Sequence, residues 1–83
     1  MNPTPDMLER IAQRKSGKPR SYLLAGAQEW RKGELRNARV LVINGLLSMS
    51  QSHGNAELVV PLAQILVQID WQEKARNGFT ADV

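Results

Sequence analysis

Wound at 3.6 residues per turn, residues 35–51 leave a polar strip only wide enough for Asn37, Asn44, Ser48 and Gln51. Leu35, Ala38, Val40, Leu41, Val42, Ile43, Leu46, Leu47 and Met49 take nearly all the remainder of the circumference. From Glu57 to Arg76 the same winding gathers Pro61, Gln64, Gln68 and Gln72 on one edge. Opposite them lie Leu58, Val59, Val60, Leu62, Ile65, Leu66, Val67, Ile69 and Trp71. A helix apolar nearly all round needs neighbours on several sides. The first half of the chain is more ordinary. Thr4-Pro5-Asp6 reads as a helix start, with a threonine cap, proline at the first helical position and an acid in the first turn. Met7, Leu8, Ile11 and Ala12 form its single apolar face, and Gly17 closes it. The run 16–20 carries glycine and proline and is read as a linker. Ser21 then caps a second helix that shows Tyr22, Leu23, Ala27 and Trp30.

Two boundaries are ambiguous in the pattern. Gly33 either breaks the second helix from the third, which is favoured, or lies inside one long helix at about 1 kcal/mol relative to alanine. Pro61 either kinks the last helix or begins its regular part, because a proline ring deep in a helix clashes with the carbonyl four residues back. Ser52-His53-Gly54 makes the turn between the last two helices, Asn55 is the cap of the fourth, Asn77-Gly78 ends it, and residues 78–83 form a tail. The chain thus reads as all-α, with three or four helices ending in an antiparallel helical hairpin and assembled as a homodimeric bundle. It is a single domain, 1–83, divided into a basic helix and linker (1–20), helical segments (21–52), a C-terminal helix (55–77) and the tail.

Length sharpens the need for a partner. Eighty-three residues support only a marginal core, and with no cysteine and one histidine neither a disulfide nor a zinc site can staple it. Oligomerisation is the remaining device, and the interface is expected from Leu35, Val42, Leu46, Met49, Leu58, Leu62, Ile65, Leu66, Ile69 and Trp71. No secretory signal opens the sequence, and its apolar runs are shorter than the roughly 20 residues that span a bilayer. A soluble cytoplasmic protein is expected, with no membrane partner.

Charge is lopsided. Residues 1–39 hold nine Lys and Arg against four acids, whereas residues 40–83 hold two against four. Five of those cations fall within residues 10–20. Arg10, Arg14, Lys15, Lys18 and Arg20, together with Arg31, Arg36 and Arg39, are the candidate contacts to a polyanion or an acidic partner. Tyr22 could add stacking.

Residues suited to catalysis are sparse. His53 has no acid, serine or cysteine near it in sequence, Asp70 and Glu73 read as a solvated acidic end offsetting Lys74 and Arg76, and Ser16-Gly17-Lys18 lacks the strand and upstream glycine of a phosphate loop. No catalytic residue, metal, cofactor or small-molecule substrate is expected. A helix-turn-helix reading fails as well, since Leu58-Val59-Val60-Pro61-Leu62 stands where base-reading polar side chains are required. Trp71 is expected in the core or interface. Trp30, flanked by Glu29, Arg31 and Lys32, is either a lid over the core, which is favoured, or an exposed anchor for a partner. The expected function is non-catalytic protein–protein binding, as a regulator, inhibitor or assembly chaperone that self-associates through its apolar hairpin. The alternative is a nucleic-acid-binding accessory protein that holds phosphates through the basic region.

Overall fold

Thr4 lies in extended backbone, and its Oγ1 accepts a hydrogen bond from the Met7 amide at 3.3 Å. One of the unpaired donors at the start of a helix is thereby satisfied, with Pro5 at the position where a missing N–H costs nothing. The structure is a computed structural model that describes residues 2–49 and 55–78. Among the described residues there are four helices and no strand: α1 (Pro5–Gln13), α2 (Gly17–Arg31), α3 (Leu35–Met49) and α4 (Ala56–Arg76). The turn assigned to Ser52-His53-Gly54 and the tail at 79–83 lie outside the described residues.

The linker expected at 16–20 is a correction. Only Arg14, Lys15 and Ser16 connect the first two helices, and α2 already begins at Gly17, whose φ of 67° turns the chain. Pro19 is tolerated because it falls in the first turn, where amide groups have no partner within the helix in any case. The break at Gly33 is real. Gly33, at φ 83°, donates to the Trp30 carbonyl and Glu34 donates to that of Glu29, both at 2.9 Å, which closes α2 with a left-handed glycine and a paired set of carbonyls.

Helix α2 packs closely on α3 because glycines lie where the two cross. Beside Gly26 stand Val42, Leu41 and Ala38, and beside Gly45 stand Leu23 and Tyr22. The core is completed by Leu8, Ile11 and Ala12 of α1, Ala27 and Trp30 of α2, Leu35 and Met49 of α3, and Leu58, Leu62, Ile65 and Ile69 of α4. Leu24, Leu46 and Leu66 pack partly buried against it. Helix α4 runs through Pro61 without interruption, so the proline neither starts the helix nor ends it.

Polar contacts fix the two ends of the bundle. At one end Arg39 meets Glu73 at 2.8 Å and Asp70 at 3.2 Å, Arg36 meets Glu73 at 3.8 Å, and Arg76 donates to the Gly33 carbonyl at 2.5 Å. These contacts join the start of α3 to the last turns of α4. At the other end Asn55, only 7% exposed, donates through Nδ2 to the Met49 carbonyl at 3.0 Å and accepts from Lys15 Nζ. Although Asn55 occupies the cap position of α4, its side chain makes no capping bond and instead ties the connection between α1 and α2 and the end of α3 to the start of α4.

Candidate functional site

Seven of the residues expected as an oligomer interface are spent inside the chain. Leu35, Val42, Met49, Leu58, Leu62, Ile65 and Ile69 are buried in the core, and Leu46 and Leu66 pack against it. Trp71, expected in the core or interface, is not in the core, since it stands 57% exposed on the outside of α4. The large apolar side chains that stay exposed are Val40, Ile43 and Leu47 of α3 with Val59, Val60, Val67 and Trp71 of α4, between 39% and 69% exposed, and of these only Trp71 belongs to the expected interface.

This set is organised. On α4 the buried residues 58, 62, 65 and 69 repeat at helical spacing, while 59, 60, 63, 67 and 71 repeat on the opposite side of the same helix. The outward face is therefore as apolar as the inward one. On α3, residues 40, 43 and 47 form a second strip turned away from the buried 38, 42, 45 and 49. Two depressions connect them. One, of about 280 Å³, lies between the helices and is lined by Leu46, Leu47, Met49, Asn55 and Val59. The other, of about 480 Å³, is a shallow trough along α4 lined by Pro3, Val59, Val60, Ala63, Gln64, Val67 and Gln68. Val59 belongs to both, so the apolar surface continues from Leu47 to Val67.

The predicted polyanion contacts are divided between the ends of the bundle, and most are occupied. Arg14 pairs with Glu57 at 3.2 Å and Lys15 with Asn55 at one end. Arg31 meets both Asp6 and Glu9 at 2.6 Å, and Arg36 and Arg39 bind the acids of α4 at the other. Arg10, Lys18 and Arg20 form no ion pair among the described residues. Lys18 borders a groove of about 550 Å³ with Pro19, Tyr22, Asn44, Leu47 and Ser48. The pairs also set the acid–base behaviour. Lys74, and secondarily Arg39, hold Asp70 below the usual carboxylate range. Hydrogen bonds from Lys32 and Asn37 do the same for Glu29, and bonds to Asp6 and Glu9 raise Arg31. Glu73 is not the solvated acid expected, because its side chain is only 17% exposed between Arg36 and Arg39.

The aromatic candidates separate. Trp30 is 5% exposed and donates from Nε1 to Gln72 Oε1 at 2.8 Å, so it is the lid and not an exposed anchor. Tyr22 is half-buried beside Gly45 and in the groove with Lys18. His53 lies outside the described residues. Among the described residues no group of His, Asp and Glu could hold a metal ion, and no helix is long and apolar enough to cross a membrane. Comparison of the chain with protein-family models, with curated proteins and with solved structures gives no match.

The apolar excess of α3 and α4 is legible in the sequence, but which of their faces turns inward is not. Both faces of α4 carry large apolar side chains, so periodicity alone could not say which one turns inward. One signal was available. The outward set is mainly valine with one alanine and one tryptophan, whereas the inward set is all leucine and isoleucine, the larger aliphatic side chains that fill a core between helices.

Proposed function

We propose that this chain acts without catalysis, by binding protein through the outer face of α4 and the adjoining strip of α3, and that its first partner is a second copy of itself, held across the α3–α4 hairpin. The observation that carries this reading is the row Val59, Val60, Val67 and Trp71, exposed on the side of α4 opposite the core. With Val40, Ile43 and Leu47 it presents on the order of 700 Å² of apolar surface, more than the roughly 300–600 Å² patch of an ordinary monomer and near the about 800 Å² that each side of a stable interface contributes. The joining of the α3 start to the α4 end supports the hairpin as the unit that presents it.

Sedimentation equilibrium tests the reading. Wild-type protein should have twice the mass of one chain at micromolar concentration. Val67→Asp, at a position 69% exposed, should sediment as one chain with unchanged helical circular dichroism, because the carboxylate would be desolvated only on association. A wild-type chain that stays single across that range overturns the reading.

The nucleic-acid alternative draws on Arg10, Lys18 and Arg20, which keep their charge uncompensated by ion pairs among the described residues. The ion pairs of Arg14, Arg31, Arg36 and Arg39 weigh against it, since each must open or be shared before it can neutralise a phosphate. A single-chain mass together with salt-sensitive binding to duplex DNA would put that alternative first.

A further inference from the structure

Resting on the self-association just proposed, we infer the register: two α4 helices pair antiparallel through their outer faces, with the two-fold axis at the level of Ile65 along the helix, whose own side chain stays in the core, and Trp71 of each copy seats in the groove beside Val59 of the other. The outward strip is self-complementary about that point. Val59 and Trp71 lie six residues to either side of Ile65, and Ala63 and Val67 lie two residues to either side. A two-fold interface places each member of such a pair against the other. Small Ala63 then meets Val67, and the largest exposed side chain, Trp71, arrives at Val59.

Val59 lines the apolar groove of about 280 Å³ between α3 and α4, whose other walls include Leu46, Leu47 and Met49. A cavity of roughly 150 Å³ already accepts a benzene ring, so this groove has room for the outer ring of an indole. The depression in one copy and the protruding tryptophan of the other are thus filled by a single contact, made twice.

Charge selects the same direction. Lys74 and Glu57 stand at opposite ends of α4, both exposed, with Lys74 paired to Asp70 at 3.1 Å and Glu57 to Arg14 at 3.2 Å, so each would share its present partner with the second copy. Antiparallel pairing brings Lys74 to the end of the second copy that carries Glu57, and it opposes the two helix dipoles. Parallel pairing would set Lys74 beside Lys74 and Glu57 beside Glu57, and would leave both grooves without an indole.

The absence of cysteine makes the register directly readable. Val59→Cys and Trp71→Cys chains, one carrying a size tag, are mixed and oxidised with copper phenanthroline. The expected product is a disulfide between the two different chains and almost none within either variant alone, because like positions would be separated by 12 residues, about 18 Å along the axis. One Trp71–Val59 contact survives in this mixed pair, so the test does not destroy what it reads. Cross-linking of each variant with itself, or no cross-link in a sample that sediments as a dimer, overturns the register and leaves self-association standing. A one-chain mass for the wild type overturns both. As a second readout, Trp71→Ala should weaken the dimer at least tenfold, as truncation of an aromatic anchor seated in a pocket does, here made twice. An unchanged dissociation constant would show that the indole lies elsewhere.

Discussion

Two glycines separate what a single methyl group can do in this core. A β-carbon added at Gly26 would lie 3.2 Å from Val42 Cγ2, a gap that closes with a shift of a few tenths of an ångström. At Gly45 it would lie 2.7 Å from Leu23 Cδ2 and 3.0 Å from Cγ, and Leu23 is fully buried with nowhere to swing. Both substitutions gain about 1 kcal/mol of helix propensity. Gly26→Ala should therefore change stability by less than about 1 kcal/mol, while Gly45→Ala adds an overpacking cost of about 1–3 kcal/mol and should be the less stable of the two in urea denaturation. Equal midpoints would mean that α2 and α3 can slide apart. The sequence shows these glycines only as weak points in helices. Their role as the place where two helices touch depends on a crossing that no local pattern encodes. Glycine and proline at 16–20 misled in the opposite sense, because their effect depends on whether they fall in a first turn or an interior.

At the scale of elements, the number and type of helices were legible from periodicity, caps and breakers. Thr4-Pro5 and Gly33 act as their chemistry dictates. The orientation of α3 and α4 was not legible, since a helix with two apolar faces has no single phase to read, and this is why the expected interface and the observed exposed set share only Trp71. Pro61 belongs to the same scale. It is the sixth residue of α4, where an N–H would bond the Glu57 carbonyl, and it is half-buried. Pro61→Ala restores that bond and removes the ring clash. The roughly 3 kcal/mol interior penalty is offset by about 0.4–1 kcal/mol of lost restriction in the unfolded chain, so a net stabilisation of about 1–3 kcal/mol is expected from urea titration. A destabilised variant would indicate that α4 is bent to fit its neighbours and that the proline sets the bend.

At the scale of the molecule, the four helices of the described residues bury one core and leave a second apolar surface outside, and stability should register both. If folding and pairing are linked, the melting temperature rises with protein concentration in the wild type and is flat for Val67→Asp, which differential scanning calorimetry at several dilutions can follow. A wild-type melt independent of dilution would detach the outer face from folding. Basic and acidic side chains play another part at this scale. Arg31, Arg39 and Arg76 each reach a helix or turn other than their own, so part of the basic excess of the sequence serves to tie the bundle together. One contact at the opposite end reaches further than its size suggests. Because the Asn55 amide grips the Met49 carbonyl, the two ends of the stretch joining α3 to α4 are already held together by a bond that does not depend on what runs between them. Lengthening that stretch then costs only loop-closure entropy, about 0.6 kcal/mol for each doubling.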